Sequence, residues 1–315
     1  MDYRILGNSK LKVSRLCFGS LTIGPLQANL GLQEGTAVIK TAFDMGVNFI
    51  DTAELYGTYD YIRKAVKGRR GDIIISTKCY AYTREGAEKS LKKALEELDT
   101  DYIDIFSLHE QESELTLKGH QEAIEYFVKA KEKGYIRSFG ISTHAIAAVK
   151  ASLKYKEIEV LHPIVNKRGL GIIDGNINGM LDAVAEACKA GKGIFSMKPL
   201  GGGNMIKESG ECFDFVLSND NLHSIAVGMQ SDEEVMNNVM VFEGKRVPED
   251  IRAKLIEKKR KLLIDSWCRG CGSCSKKCAQ KALTIEKGKA VVDPSKCVLC
   301  GYCSAYCPDF CIKII

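Results

Sequence analysis

Nine of the thirteen cysteines lie after residue 265, and eight of these nine repeat one spacing. Each set of four follows the pattern C-x₂-C-x₂-C-x₃-C, and Pro308 comes directly after the second set. The two sets are Cys268, Cys271, Cys274 and Cys278, and Cys297, Cys300, Cys303 and Cys307. Because a chain of 315 residues buries a large core without disulfide staples, we interpret these cysteines as metal ligands rather than as disulfide partners.

The segment from about residue 266 to 313 resembles a two-cluster bacterial ferredoxin in this cysteine pattern. The resemblance implies two 4Fe–4S clusters, each held by three closely spaced thiolates and by the fourth cysteine of the other run. The implied ligand sets are Cys268, Cys271 and Cys274 with Cys307, and Cys297, Cys300 and Cys303 with Cys278. ALTIEKGKAVVDPSKC predicts a hairpin between the runs, and Cys311 is interpreted as a buried thiol. Two zinc sites are the alternative, but their C-x-x-C knuckles leave the third cysteine without a role.

Ahead of this tail, short β-rich runs alternate with amphipathic helical stretches from about residue 16 to residue 243. The runs are LCFGS, VNFIDTA, IIISTK, YIDIFSL, IRSFGIS, EVLHPIV, GIFSMK and HSIAVG. Eight such pairs over roughly 230 residues fit an α/β fold of the (β/α)₈ TIM barrel type, whose strands are buried on both faces. A doubly wound open sheet is the alternative fold.

The flanking segments complete the predicted domain organisation. YRIL and KVSRL around the turn GNSK predict a hairpin that covers the bottom of the barrel. PEDIRAKLIEKKRKLLIDS has apolar residues at helical spacing behind a proline, so we predict a barrel over 1–245, a connecting helix over 246–265 and a small α+β ferredoxin-like domain over 266–315. A helix antiparallel to the last barrel helix returns the chain to the C-terminal face of the strands, which places the clusters near the mouth of the barrel.

Composition and charge argue against several classes of function. The chain is 45% hydrophobic and 27% charged, and its formal charge of +5 comes from Lys and Arg that alternate with Glu along stretches such as AEKSLKKALEEL. This pattern gives no support for nucleic-acid binding. The apolar runs are too short for a membrane span, and MDYRILGNSK lacks a signal-peptide pattern, so we expect a cytoplasmic protein with no membrane partner.

Four polar residues stand at or just after the predicted ends of the second, third and fourth barrel strands. They are Asp51, Tyr56, Lys78 and His109. Barrel enzymes place their chemistry at these strand ends, and this set suggests carbonyl reduction. Hydride addition leaves an alkoxide that must be protonated, and Lys78, held by Asp51, is expected to lower the pKa of a Tyr56 general acid. His109 orients the carbonyl oxygen in this interpretation, although taken alone it reads as a core histidine.

These residues, in this order and on these strands, resemble the aldo-keto reductase family over about residues 3 to 243, most specifically in GVNFIDTAELYG. The resemblance implies a (β/α)₈ barrel that reduces aldehydes and ketones with a nicotinamide cofactor, NADH or NADPH. It also implies that the four residues are the catalytic tetrad. The fused cysteine-rich tail and the segment MKPLGGG are similar to a subgroup of the family that is common in anaerobes.

The same resemblance implies a set of cofactor-binding residues. They are Gly19, Ser20, Ser142, Thr143, His162, Met197, Lys198, Leu200, Gly201, Gly202, Met229, Gln230, Glu234 and Asn238. Thr143, His162 and Met197 replace the asparagine, glutamine and aromatic residue that the family uses around the nicotinamide. Glu234 repels a 2′-phosphate and suits a free ribose hydroxyl, which favours NADH over NADPH. The glycines of MKPLGGG are expected to let backbone amides approach the pyrophosphate. Lys198, in the same segment, is expected to neutralise the charge of the pyrophosphate.

Four functions stay open from the sequence. The first is an iron–sulfur oxidoreductase that reduces a small-molecule carbonyl substrate with a nicotinamide, with the clusters relaying electrons to or from an external ferredoxin. Because clusters pass single electrons and a nicotinamide passes a hydride, the second adds or substitutes a flavin, held by the late loops MKPLGGG and VGMQS. The third is an electron-transfer protein on a non-catalytic barrel, which the intact tetrad argues against. In the fourth, the clusters are structural.

Overall fold

The chain begins with the predicted hairpin in the computed structural model, which describes residues 1–315. Its two antiparallel strands are β1 (Tyr3–Ile5) and β2 (Lys12–Ser14). The turn directs Leu6 and Leu11 toward the barrel, where they and Val13 join Phe49 and Val160 in one apolar cluster. Phe49 and Val160 are the first residues of their strands, so the hairpin closes the end of the barrel at which the strands start, as predicted.

Eight parallel strands form a closed barrel. They are β3 (Leu16–Gly19), β4 (Phe49–Asp51), β5 (Ile74–Cys79), β6 (Ile103–Leu108), β7 (Ile136–Thr143), β8 (Val160–Pro163), β9 (Gly193–Met197) and β10 (Ser224–Gly228). Each strand pairs in parallel with the next, and β10 pairs with β3 to complete the ring. Their side chains are almost all buried because helices cover the outside and side chains fill the inside. The (β/α)₈ barrel is confirmed, and the open sheet is wrong.

Helices that follow the strands cover the outside of the barrel. They are α1 (Leu32–Asp44), α2 (Tyr59–Val66), α3 (Arg84–Leu98), α4 (Glu114–Gly119), α5 (Gln121–Glu132), α6 (Ile146–Ser152), α7 (Ile177–Lys189), α8 (Ser209–Leu217) and α9 (Asp232–Phe242). In α3, Thr83 caps the first turn by accepting a hydrogen bond from the backbone N–H of Gly86 at 3.1 Å, and Asp99 ends the helix in a left-handed conformation. Leu91 and Leu98 lie on its buried face. This arrangement leaves the C-terminal ends of the strands to loops that carry polar residues.

The segment after the barrel departs from the predicted helix over 246–265. Helix α10 (Glu249–Glu257) ends at Lys258, whose backbone is not helical, and Leu262–Ile264 form strand β11. Leu262 is buried in the apolar cluster of the C-terminal domain. A short apolar run is ambiguous between helix and strand, and here the partner strand lies at the very end of the chain, beyond the reach of any local pattern. The second half of the predicted helix is therefore wrong, because β11 is part of the cluster domain.

The C-terminal domain combines one short helix with two pairs of antiparallel strands. Its remaining elements are α11 (Ser273–Lys277), β12 (Leu283–Glu286), β13 (Lys289–Val292) and β14 (Ile312–Ile314). Strands β12 and β13 form the predicted hairpin between the cysteine runs, and β11 pairs with β14. Leu283 and Ile312 contribute to a small apolar core, and Cys311 is buried as predicted. The α+β character expected for this domain is thus present.

The cluster domain rests on the loops at the C-terminal face of the barrel. The backbone N–H of Ile314 donates to the Gly202 carbonyl at 3.0 Å, and the side-chain amide of Asn204 donates to the Ile312 carbonyl at 2.9 Å. Gly203 has no room for a side chain, because its Cβ position would lie 1.9 Å from the Ile314 carbonyl oxygen. These contacts place the domain near the barrel mouth, as predicted. No helix in the chain has both the length and the apolarity needed to cross a membrane.

Candidate active site

Asp51 and Lys78 form a buried ion pair in the barrel mouth. Asp51 ends β4 and Lys78 lies near the end of β5, and the parallel pairing of these strands brings the two side chains together. Lys78 Nζ lies 2.7 and 2.8 Å from the two carboxylate oxygens and 2.6 Å from the backbone oxygen of Thr52. Burial opposes ionisation of Asp51, but the charge of Lys78, with His162 beside it, holds the pKa of this carboxyl well below its ordinary range.

Tyr56 lies beside this pair, in a short 3₁₀ turn after β4. Its ring centroid lies 5.2 Å from Lys78 Nζ and 5.8 Å from the centroid of the His109 ring. The expected lowering of the Tyr56 pKa is not met in this structure. Burial, followed by the carboxylates of Asp51 and Glu110, raises this pKa well above its ordinary value.

His109 completes the predicted group just after β6. Its backbone N–H donates to the Cys79 carbonyl at 2.8 Å, and its ring stacks on Tyr80 with centroids 4.5 Å apart. Burial, together with the charge of Lys78, holds the pKa of His109 well below its ordinary value, so the ring is neutral at neutral pH. Nδ1 is buried without a hydrogen-bond partner. Because buried polar atoms are nearly always paired, this unpaired nitrogen sets His109 apart from an ordinary core histidine.

Ser142 and Thr143, expected near a nicotinamide amide, end β7. The Ser142 hydroxyl accepts a hydrogen bond from the backbone N–H of Glu110 at 2.9 Å and keeps its own hydrogen for another partner. The Thr143 hydroxyl oxygen accepts from the backbone N–H of Ala145 at 2.8 Å and lies 3.2 Å from the Ala145 carbonyl oxygen. Ser142 therefore has hydrogen-bonding capacity for a cofactor amide, whereas Thr143 is satisfied within its own loop.

His162 lies on β8 against the ion pair instead of pointing freely into the mouth. Its Nδ1 is 2.7 Å from the Phe195 carbonyl oxygen, and its Nε2 is 3.5 Å from Asp51 Oδ2. The ring also stacks on Phe195 with centroids 3.9 Å apart. Burial lowers the pKa of His162, while Asp51 opposes that lowering. The side chain expected to hold a nicotinamide amide thus supports Asp51, and Met197, from the same predicted set, is buried at the end of β9.

Glu234, expected at the adenine end of a dinucleotide, is already paired within the chain. Its Oε1 accepts hydrogen bonds from Lys258 at 2.8 Å and Arg260 at 3.0 Å, and its Oε2 accepts from the backbone N–H of Gln230 at 2.7 Å. Glu234 is therefore not a free acceptor for a ribose hydroxyl, and its presence alone no longer favours NADH over NADPH. The other predicted residues around β3, β10 and α9 are Gly19, Ser20, Met229 and Asn238. The sequence did not indicate the two cations because they follow α10, in the segment interpreted as helix.

Two of the three glycines expected to approach a pyrophosphate, Gly202 and Gly203, contact the cluster domain instead. Gly201, Gly202 and Gly203 have φ values of +57°, +66° and +82°, which only glycine adopts readily. A Cβ on Gly202 would lie 2.6 Å from the Lys313 side chain, and Gly203 approaches β14 more closely still. Leu200, beside them, packs against the barrel core. The close backbone approach that these glycines permit is therefore to the last strand of the chain.

Lys198, His144 and Phe310 connect the barrel mouth with the cluster domain. Lys198 Nζ lies 2.9 Å from His144 Nε2 and 5.1 Å from the centroid of the Phe310 ring. Lys313 Nζ lies 3.7 Å from the same centroid. Burial, followed by the charge of Lys313, lowers the pKa of Lys198 to about 7. No short motif reveals this group, because its members follow β7 and β9 or precede β14 and only the domain contact assembles them.

The eight tail cysteines fall into the two expected groups of four. The first group, which lines a single cavity, is Cys268, Cys271, Cys274 and Cys307. The second expected group is Cys278, Cys297, Cys300 and Cys303, and the thiols that act on Cys303 are its three other members together with Cys274. In each group the fourth cysteine comes from the other run, as in two-cluster ferredoxins. The cavity of the first group is also lined by Cys311, and a set of thiols around a cavity fits a cluster of several iron atoms.

Comparison with known proteins assigns both parts of the chain. Residues 15–222 match the Aldo/keto reductase family, and residues 261–308 match a 4Fe-4S dicluster domain. L-galactose dehydrogenase of Arabidopsis thaliana is 27% identical over 281 residues, which cover 76% of this chain and 87% of that protein. The uncharacterized oxidoreductase YqkF of Bacillus subtilis is 32% identical over 173 residues, which cover 50% of this chain and 54% of that protein. The structure of the aldo-keto reductase AKR11C1 from Bacillus halodurans, in its holo form, superimposes with a TM-score of 0.66 at 24% identity, covering 82% of this chain and 96% of that one.

A closed (β/α)₈ barrel with a buried Asp–Lys pair, a tyrosine and a histidine in its mouth defines an oxidoreductase of the TIM barrel class. The match over residues 15–222 shows that the chain belongs to the aldo/keto reductase family. In addition to the barrel, it carries a C-terminal 4Fe–4S dicluster domain of the ferredoxin type.

Proposed function

We propose that this protein reduces the carbonyl group of an aldehyde or ketone, with Tyr56 as the general acid. One observation carries the proposal: the Tyr56 and His109 rings lie 5.8 Å apart beside the buried pair of Asp51 and Lys78. A buried ion pair stabilises a fold weakly at best, because both charges lose their water. Its position at the C-terminal ends of barrel strands, where barrel enzymes place their chemistry, supports a catalytic role.

The chain's own residues supply the proton and orient the substrate in this proposal. Reduction of a carbonyl to an alcohol takes one hydride and one proton. A nicotinamide, which membership of the family implies, supplies the hydride when bound. The raised pKa of Tyr56 keeps its hydroxyl protonated at neutral pH, so it donates that proton to the forming alkoxide, and the charge of Lys78 favours the phenolate that is left. Neutral His109 donates a ring N–H to the carbonyl oxygen and orients it.

Two regions support the choice of nucleotide. Ser142 keeps the free hydroxyl hydrogen that binding a nicotinamide amide requires. At the adenine end, Lys258 and Arg260 place two cations beside Glu234, and a 2′-phosphate that took the place of this carboxylate would bind both, which favours NADPH over NADH. We therefore propose NADPH in place of the NADH that the acidic residue alone suggested.

We propose that the two groups of four cysteines hold 4Fe–4S clusters, which exchange single electrons when bound. Cys271 and Cys300 are exposed, so each group has an edge at the surface that an external redox protein can approach. In this organisation the barrel extends to about residue 245, and the cluster domain begins at β11.

A second candidate function is carbonyl reduction with electrons from the cluster domain instead of a nicotinamide. The contact of Ile314 with Gly202 favours it, because the chain itself occupies a position predicted to bind a dinucleotide. Phe310 in addition reaches from the cluster domain to the barrel mouth. Two clusters that each hold one electron match the two electrons that one carbonyl reduction requires.

Anaerobic turnover of the full-length protein tests both candidates. Its cofactors, including any flavin, are extracted and identified, and NADPH, NADH or a reduced ferredoxin is then added separately to a panel of aldehydes. Alcohol formed with NADPH supports the first candidate, and alcohol formed only with reduced ferredoxin supports the second. If none of the three reductants yields alcohol, the proposed carbonyl reduction is wrong.

The role of Tyr56 is tested with a pair of variants that each lose one hydroxyl. Tyr56→Phe is expected to lower kcat/KM by about 10²- to 10⁴-fold, the usual contribution of a general acid. Tyr82→Phe, at an exposed position after β5, is the matched control and is expected to keep full activity. Equal activity of the two variants would show that Tyr56 is not the proton donor.

A further inference from the structure

We propose that Lys198, held in place by His144, binds an anionic group of the substrate, so that the substrates are aldehydes or ketones that carry a carboxylate or a comparable anion. The inference rests on the proposed carbonyl reduction and specifies the substrate class of the same mouth. The inference follows from one observation: a cation at the mouth has no counter-ion in the chain.

The backbone directs Lys198 into the mouth. The residue directly follows β9 and has a φ of +59°, a left-handed conformation that is unfavourable for any residue with a Cβ. Such conformations persist where the surrounding structure enforces them, and they concentrate at functional sites. The side chain reaches His144, and its Nζ lies 2.9 Å from His144 Nε2, its only polar side-chain contact. Both residues come from loops at the C-terminal face, on which the proposed carbonyl chemistry also lies.

Lys198 differs from the other two lysines in this region in having no carboxylate partner. Lys78 is paired with Asp51, and Lys313 lies 3.4 Å from Asp265. A largely buried ammonium group without a counter-ion is unfavourable, which is why burial lowers its pKa. The charged and titratable groups that act on Lys198 from the surrounding elements are His144, Lys78, Glu110, Lys313 and Asp265. The two carboxylates among them are engaged with Tyr80 and Lys313, so an incoming anion is the partner that this cation lacks.

The cation is close enough to the tetrad for one substrate to reach both. The charge of Lys198 contributes to the lowered pKa of His109, and the charge of Lys78 contributes to the lowered pKa of Lys198. Lys198 and Tyr56 both keep part of their surface exposed, so a ligand reaches them from solvent. A carbonyl oxygen at Tyr56 and His109 therefore leaves an anionic substituent directed toward the loop after β9.

The pyrophosphate of a dinucleotide offers the same chemistry as a substrate carboxylate. The neighbouring glycines favour the substrate, because the Gly202 carbonyl accepts a hydrogen bond from β14 and Gly203 is in contact with the same strand. The last strand of the chain therefore covers the backbone beside Lys198, so this backbone does not offer an open binding site to a phosphate. Phe310, also from the cluster domain, forms an apolar wall against the ammonium group.

The test compares anionic aldehydes with their neutral methyl esters. The anions are glyoxylate, succinate semialdehyde and 4-carboxybenzaldehyde, which differ in the distance from carbonyl to carboxylate. The wild type is expected to prefer at least one anion over its ester by about tenfold or more in kcat/KM, since a hydrogen bond to a charged group has this magnitude. Lys198→Met is expected to reduce that preference by about 10- to 100-fold. Lys207→Met, which removes an exposed lysine further along the same loop, is the matched control and keeps the preference.

Calorimetric binding of 4-carboxybenzaldehyde to the holoprotein, without reductant, separates this inference from the proposed function. Binding that depends on Lys198 while no aldehyde is reduced would support the anion site and overturn carbonyl reduction. Reduction of aldehydes with no anion preference, or with a preference that Lys198→Met leaves intact, would overturn the anion site. If Lys198→Met instead weakens NADPH binding and keeps the preference, the cation binds the pyrophosphate and the inference is wrong.

Discussion

The two ends of the barrel are closed in opposite ways. At the end where the strands begin, Leu6, Leu11 and Val13 of the hairpin fill the interior with apolar side chains. At the other end, the interior contains the buried charges of Asp51 and Lys78, and a second domain covers part of the mouth. The first closure releases water from apolar surface, whereas the second places charges where water is scarce.

This difference separates the source of stability from the source of chemistry. Apolar contacts stabilise the fold without directing any group toward a ligand, and each buried methylene contributes about 0.8 kcal/mol. Buried charges contribute little net stability, but they shift pKa values and point polar atoms at a substrate. Variants at the hairpin end are therefore expected to change stability and leave activity unchanged, whereas variants at the mouth change activity; a loss of activity from the hairpin end would contradict the comparison.

The largest effect is expected from Lys78→Met at the mouth. The change leaves Asp51 as an unpaired buried carboxylate, which costs about 3–5 kcal/mol of folding free energy, and it removes the charge that favours a Tyr56 phenolate, so activity falls by at least about 100-fold. The double variant Lys78→Met with Asp51→Leu replaces the pair with apolar groups. Chemical denaturation is expected to show recovered stability in the double variant while turnover stays low. Recovery of both properties would show that the ion pair has only a structural role.

Leu6→Ala at the opposite end is expected to act on stability alone. Leu6 is fully buried, and its truncation leaves a cavity that costs about 2–5 kcal/mol. Iron content and kcat/KM, measured at a temperature where the variant remains folded, are expected to equal those of the wild type. A loss of turnover under those conditions would show that the hairpin end is coupled to the mouth, and the separation of the two ends would not hold.

A third variant tests whether the mouth depends on the cluster domain. Gly203→Ala places a Cβ against the Ile314 carbonyl oxygen and is expected to loosen the domain contact at a cost of about 1–3 kcal/mol. Gly68→Ala is the matched control, since Gly68 has a φ of +81° with no atom within 4 Å of the added Cβ and carries only the backbone strain. Limited proteolysis is expected to release the C-terminal domain faster in Gly203→Ala. Equal cleavage rates would show that this glycine does not hold the domains together.

Much of the architecture was predictable because its signals are local. Each barrel strand is a continuous apolar run, and Asp51, Lys78 and His109 come directly at strand ends, so the barrel topology alone brings them together. The two cysteine runs were equally predictable, because the spacing of the ligands within each run depends on only a few residues.

The parts that were not predictable depend on contacts between distant segments. Strand β11 looked like the end of a helix because its partner is the last strand of the chain. Glu234 suggested NADH until Lys258 and Arg260, from the following segment, were found beside it. The sign of the Tyr56 pKa shift depends on how deeply the folded chain buries the phenol, which a local motif does not reveal.

The smallest effect concerns the pH dependence that Lys198 gives to the mouth. Its pKa in the folded protein is lowered to about 7, while the unfolded chain has the ordinary lysine value, so between these values the unfolded state holds a proton that the folded state has released. Stability therefore rises with pH across this window, by at most about 1.4 kcal/mol per pH unit. Urea midpoints at pH 7, 8 and 9 are expected to rise more in the wild type than in Lys198→Met, with Lys207→Met following the wild type. Parallel midpoints in all three proteins would show that Lys198 keeps its ordinary pKa and has a counter-ion within the chain.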